Sequence, residues 1–246
     1  MENDQACSAV IIGVGPEHGL GATLAKYFAA KGLHVYIGGR SEYKIALIEQ
    51  KILASGGSAT AVVTDATSES DVKNLFEITR LDSRVVKLAA FNVDSNIASP
   101  FLETDLDTFE TLWRQNCLAA FIFAQQAILA MLPQQQGSLF FTGASASLRA
   151  KPPFTAFASA KSGLRFLAQG LAREFSPQGI HIVHTVIDGV IDGERARSQF
   201  PEFVETKGKD GLLKLEAIAD TYWAMHQQDP SAWTHELDLR PFKEPF

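Results

Sequence analysis

Seven short apolar runs, "SAVIIGV", "HVYIGG", "ATAVVT", "VVKLAAF", "GSLFFTG", "IHIVHTVI" and "WTHELDL", recur along the chain, with longer segments of helical period between most of them. This alternation constrains the fold more than any other feature. A strand that is apolar at successive positions has no face to give to water, so the sheet it joins must be covered on both sides. Helices between strands supply that cover, because parallel neighbours need a long crossover connection. The pattern predicts an α/β fold: a doubly wound parallel sheet of about seven strands with helices on both faces. The 246 residues, 46% of them hydrophobic, suffice for one large core. No internal repeat, low-complexity tract or Pro/Gly-rich linker divides them. Residues 1–246 are expected to form a single domain, with ligands at the carboxyl ends of the strands.

Charge and composition narrow the function classes. A formal charge of −6 and a sequence pI near 5.5, with no Lys/Arg cluster, argue against a nucleic-acid partner, which requires a basic face. Cys7 and Cys117 are far apart and suggest neither a disulfide framework nor a metal site. The amino terminus "MENDQACSAVIIGVG" lacks the basic start and cleavage pattern of a secretory signal, so a cytoplasmic protein is expected. The most apolar long segment, "CLAAFIFAQQAILAML", is short for a bilayer and is interrupted by Gln125 and Gln126, so no membrane span is expected. His181 and His184, three apart on a strand, point to opposite faces and cannot share an ion; no metal is expected.

Directly after the first strand, Gly15, Gly19 and Gly21 form GxxxGxG at the entry to a helix in "GVGPEHGLGATLAKYFAAKG". Glycines there permit a tight turn and let the backbone approach a diphosphate, which meets the unpaired N–H groups and positive dipole end of the helix. The turn predicts dinucleotide binding on a Rossmann-type sheet. At the end of the second strand, where an NAD site places a carboxylate for the ribose 2′-hydroxyl, the sequence is "IGGRS". Arg40 offers a bidentate cation for a 2′-phosphate and no acid repels it, so NADP(H) is favoured over NAD(H). Asp65, ending the third strand, either accepts a hydrogen bond from the adenine amino group or caps the following helix.

Together these residues resemble the short-chain dehydrogenase/reductase family, and the resemblance runs from about Ser8 to Arg240. It rests on the Gly15-Gly19-Gly21 turn, Asp65 after the third strand, Asn92 of "FNVD" after the fourth, Asn116 of "WRQNCLAAF", and the "FASAK" segment that matches a YxxxK pair. The resemblance implies an NADP(H)-dependent oxidoreductase acting on the carbonyl or alcohol of a small molecule, with a homodimer or homotetramer formed through its long helices. By the same likeness Lys161 bonds the nicotinamide ribose, Asn116 joins it in ordering ribose and water, and Gly189 follows the sixth strand at the cofactor.

Departures from the family pattern cluster at one end of the site. Phe157 stands where the family has its proton-donating tyrosine. Ala144 replaces the usual serine, with Ser145 adjacent. Asp94 and Asp188 stand where glycine and proline are usual, so two carboxylates border the expected nicotinamide site. Losing a positioned general acid forfeits about 10²- to 10⁴-fold in rate, so Asp94, Asp188, Ser145 or a water must take over the proton. Otherwise the chain is a catalytically inactive NADP(H) sensor or scaffold, or uses the pocket without net hydride transfer. The irregular stretch from about 188 to 209 is a candidate lid.

Overall fold

The computed structural model describes residues 6–245. Its strands are β1 (Cys7–Ile12), β2 (His34–Gly39), β3 (Ser58–Val63), β4 (Val85–Phe91), β5 (Gly137–Thr142), β6 (Ile180–Ile187) and β7 (Glu236–Leu239). They pair in parallel in the order β3-β2-β1-β4-β5-β6-β7. The order reverses between β1 and β4, which leaves a crevice above their carboxyl ends where the flanking connections diverge.

Alternation along the strands feeds two cores. In β1, Ala9 and Ile11 face one layer while Val10 and Ile12 face the other. The first layer is made by α1 (Leu20–Ala30), α2 (Glu42–Ala54) and α9 (Leu215–His226), which contribute Leu24, Phe28, Ile48 and Tyr222. The second is made by α3 (Glu69–Leu81), α5 (Ala119–Met131) and α6 (Thr155–Phe175), which contribute Val72, Phe123, Leu164 and Ala168. The seven strands and both layers make one domain, as the strand pattern predicts.

Two expectations are corrected. The apolar segment at 117–132 is the latter part of a longer helical run: α4 (Leu106–Trp113) continues through a π-helical turn at Arg114–Leu118 into α5. Leu106–Gln134 is thus long and apolar enough to cross a membrane by length and composition, and half of its apolar window is buried inside the fold. The stretch at 188–209 is not irregular throughout, for it holds two short helices, α7 (Glu194–Gln199) and α8 (Pro201–Lys207). Pro201 stands at the first turn of α8, where its missing N–H costs nothing. The amino-terminal reading falls partly on residues 1–5, outside the described residues.

Candidate active site

A crevice of about 1160 Å³ lies over the carboxyl ends of the strands and is lined by Gly15, Gly19, Gly21, Arg40, Asp65, Asn92, Ser145, Phe157, Lys161 and Gly189. Of the cofactor and catalytic candidates read from the sequence, Asn116 and Asp188 are outside its lining. The glycine turn is shaped for close approach. Gly13, which the GxxxGxG reading passed over, has φ +89°, and a Cβ there would meet the Asn92 carbonyl carbon at 2.5 Å. A Cβ on Gly21 would meet the Gly13 carbonyl oxygen at 2.8 Å, so glycine is what lets α1 start hard against the turn. At Gly15 nothing lies within 4 Å of such an atom: the turn is open towards the crevice. No side chain caps α1 and no acid stands in its first turn, so its first N–H groups are unopposed.

Farther along the rim, a Cβ on Gly39 would meet the Val14 carbonyl oxygen at 2.4 Å, so the first side chain available after β2 is Arg40. Arg40 is exposed, and Ser41 and Lys44 line the crevice beside it. Ser41 precedes α2 without capping it. Lys44 lies in the first turn of α2, four residues after Arg40, which precedes the helix. Asp65 does not cap α3, a task Ser68 performs. Its carboxylate instead accepts from the Thr67 backbone N–H and hydroxyl, each at 2.8 Å.

At the centre, Asn92 is oriented by a relay. The Thr142 hydroxyl, 2.9 Å from the buried Tyr222 hydroxyl, donates to Asn92 Oδ1 at 3.0 Å. The Asn92 amide is thereby turned towards the Gly13 carbonyl, at 3.4 Å. Three strand ends and α9 are thus locked together beneath the crevice.

Residues 157, 161, 164 and 168 share one face of α6, and Leu164 and Ala168 bury that face in the core. The same stripe carries Lys161 to the crevice floor, where it is only 1% exposed. Its Nζ donates to the Thr142 carbonyl at 3.2 Å and lies 3.0 Å from Asp94 Oδ1. A buried ammonium costs several kcal/mol unless paired, and Asp94 supplies the pair from the loop after β4. Asp94 Oδ2 also accepts from Arg195 of α7 at 3.3 Å, and Arg195 bonds the Asn96 side chain as well. The Glu194 N–H donates to the His18 carbonyl at 2.7 Å, tying α7 to the glycine turn. The Phe157 ring lines the crevice beside Lys161, its centroid 5.7 Å from the ammonium nitrogen.

The structure separates the remaining candidates. Asp188 is buried between two guanidinium groups: Arg149 reaches both its oxygens, at 3.0 and 2.9 Å, and Arg240 lies at 3.0 Å. This carboxylate, outside the crevice lining, ties the end of β6 to Arg149 and to Arg240 of the carboxyl-terminal segment. Asn116, fully buried in the π-helical turn, donates to the Ser95 and Leu112 carbonyls, both at 2.9 Å. Its side chain therefore holds the loop that carries Asp94 rather than lining the crevice. Ser145 opens a 3₁₀ turn and lines the crevice, whereas Ser147 is buried with its oxygen accepting from the Ala144 N–H at 3.2 Å.

Behind this floor, His184 is completely buried and its Nδ1 lies 2.9 Å from Glu236, which Arg165 grips through two hydrogen bonds of 2.7 and 2.8 Å. Burial pushes the His184 pKa down to about 4, with Glu236 opposing the shift. A Cβ on Gly143 would come within 2.3 Å of His184 Nε2, on a ring that cannot retreat. Gly143→Ala is therefore expected to destabilise the protein by about 2–3 kcal/mol through overpacking, read as a lower urea midpoint, and to displace the Ser145 turn.

A short chain dehydrogenase family model matches residues 9–202. Among solved structures, a short-chain dehydrogenase from Rhodopseudomonas palustris is 36% identical, with a TM-score of 0.82 over 96% of this chain and 99% of that one. A gluconate 5-dehydrogenase from Burkholderia cenocepacia, solved with NADP and tartrate, shares the fold at 19% identity, with a TM-score of 0.81 over 96% and 94% of the two chains. A curated relative, the oxidoreductase asL5 of Sarocladium schorii, is 26% identical over 68% of this chain. The matched stretch spans 66% of that relative's length, just under two thirds. With the family match running from the first strand into α8, and the same sheet and glycine turn beneath it, the chain belongs to the short-chain dehydrogenase family.

Proposed function

We propose that the protein is an NADP(H)-dependent oxidoreductase that moves hydride between the nicotinamide and the carbonyl or alcohol of a small molecule. The observation that carries this reading is the ammonium of Lys161, buried on the floor of a crevice whose rim displays Arg40. An ammonium has three N–H groups. Two are met by Thr142 and Asp94, which leaves one for a ribose hydroxyl.

The residues fit the cofactor. The open side of Gly15 and the uncapped start of α1 suit a diphosphate. Arg40, Ser41 and Lys44 suit a 2′-phosphate, and no carboxylate stands at the end of β2 to repel one. The NADP found in the Burkholderia cenocepacia structure agrees with this preference. The double substitution Arg40→Ala/Lys44→Ala is expected to weaken NADPH about 10- to 100-fold and to leave NADH within about twofold, measured by nucleotide fluorescence.

When bound, NADPH supplies the hydride. Lys161 would hold the ribose, Asn92 would fix the turn beneath it, and the Ser145 hydroxyl would meet the substrate oxygen. Phe157 has no proton to give, so the proton must come through Ser145, Asp94 or water. The helices α7 and α8 form the lid of this reading, latched by Arg195 on Asp94. The exposed Trp113, Phe121 and Phe166 on α4, α5 and α6 suit pairing with a second copy.

A screen of ketones and aldehydes for loss of nicotinamide absorbance tests the assignment. Turnover by the natural protein, little changed in Phe157→Tyr and about tenfold or more lower in Ser145→Ala, is the expected result. NADPH binding without turnover, with activity appearing only in Phe157→Tyr, would make the protein a nucleotide sensor instead.

A further inference from the structure

The crevice is chemically asymmetric. Over β1 to β3 its lining carries the polar side chains of His18, Arg40, Ser41, Lys44, Asp65 and Thr67, beside small and aliphatic residues and no phenyl ring. Over β4 to β6, and across α7 and α8, polar residues such as Ser95, Gln115 and Gln199 are interleaved in the wall with all four phenylalanines of the lining, Phe154, Phe157, Phe200 and Phe203. Phe200 and Phe203 are 53% and 52% exposed although they belong to this wall. Aromatic rings left half in water at a crevice gain most from a ligand that covers them.

The charges on this half cancel and are largely committed. Its charged lining residues are Asp94, Glu194, Lys161 and Arg195, two carboxylates and two cations. Both cations are already held by Asp94, and Arg195 also by Asn96. Glu194 is exposed and adds a carboxylate that repels anions. A substrate carboxylate would find no uncommitted guanidinium here and would have to break the Asp94 bridge to obtain one.

We infer that the substrate is an uncharged, mostly apolar ring ketone or alcohol, with one oxygen for Ser145 and a ring face for Phe200 and Phe203, and that sugar acids are excluded. The inference rests on the oxidoreductase reading and narrows it. Covering two phenyl rings with an apolar face makes the larger contribution to affinity, and one well-placed hydroxyl sets orientation.

The test is calorimetric titration of the full chain with 1-tetralone and with 5-oxogluconate, each with and without saturating NADP. Tetralone is expected to bind at least about tenfold more tightly than 5-oxogluconate. The double variant Phe200→Ala/Phe203→Ala is expected to weaken tetralone about tenfold while NADPH affinity stays within about twofold. Equal or tighter binding of 5-oxogluconate, or an unchanged tetralone Kd in the double variant, overturns the inference. Tetralone binding that persists in a protein unable to bind NADPH would sink the nucleotide reading alone and leave the role of the phenyl rings standing.

Discussion

Lys161→Met is expected to weaken NADPH binding by about 10- to 100-fold and to lower kcat/KM by at least as much, while global stability falls by no more than about 1 kcal/mol. The first effect follows from losing a charge-assisted donor to the ribose, about 1.5–3 kcal/mol where water is excluded. The second follows from the environment of its partner. Breaking a buried ion pair is costly when the surviving charge is stranded. Here the side chain left behind, Asp94, is 39% exposed and keeps Arg195. Methionine also refills most of the volume that the lysine stem occupies on α6. Fluorescence titration of NADPH and urea unfolding of the same variant separate the two effects. A folded variant with a much lower urea midpoint but unchanged NADPH affinity would show that Lys161 serves packing alone.

Acidification from pH 6.5 to about 4 is expected to remove up to about 3 kcal/mol of stability for each of two histidines, His184 and His226. Burial lowers both to about 4. Above the unfolded value near 6.5 both states are neutral, and the stability is fully present. As the pH falls below it, the unfolded chain takes up protons that the folded chain refuses, so unfolding is favoured until the folded value is reached. Glu236, held low chiefly by the Arg165 hydrogen bond, loses its contribution only below the ordinary carboxylate range. The interval between pH 6.5 and 4.5 therefore reports the histidines. Urea midpoints across that interval should fall steeply in the natural protein and less steeply in His184→Gln. An unchanged slope in that variant would show that His184 is not the group responsible.

The fold was legible because its signals are local. Apolar residues in succession within "IIGV" or "HIVHTVI" dictate strands covered on both faces, and the intervening helical period dictates what covers them. The glycine turn was legible for the same reason, since a strand, a turn and a helix follow one another without a gap. Gly13 escaped because its requirement comes from Asn92, which follows a strand distant in sequence.

By itself, then, the sequence determined the seven-stranded sheet, the place of the crevice, and a Phe157–Lys161 face on one helix, since periodicity and turn chemistry act between near neighbours. Only tertiary structure decided which charges meet. Asp94 and Asp188 read alike in the chain, each a carboxylate at a strand end. Yet one reaches a buried ammonium in the crevice and the other is clasped by Arg149 and Arg240 behind it. Tertiary structure also bent 188–209 into two helices against the crevice. Long-range partners are set by the packing of whole layers, and desolvation then makes a buried charge take whichever opposite charge that packing presents.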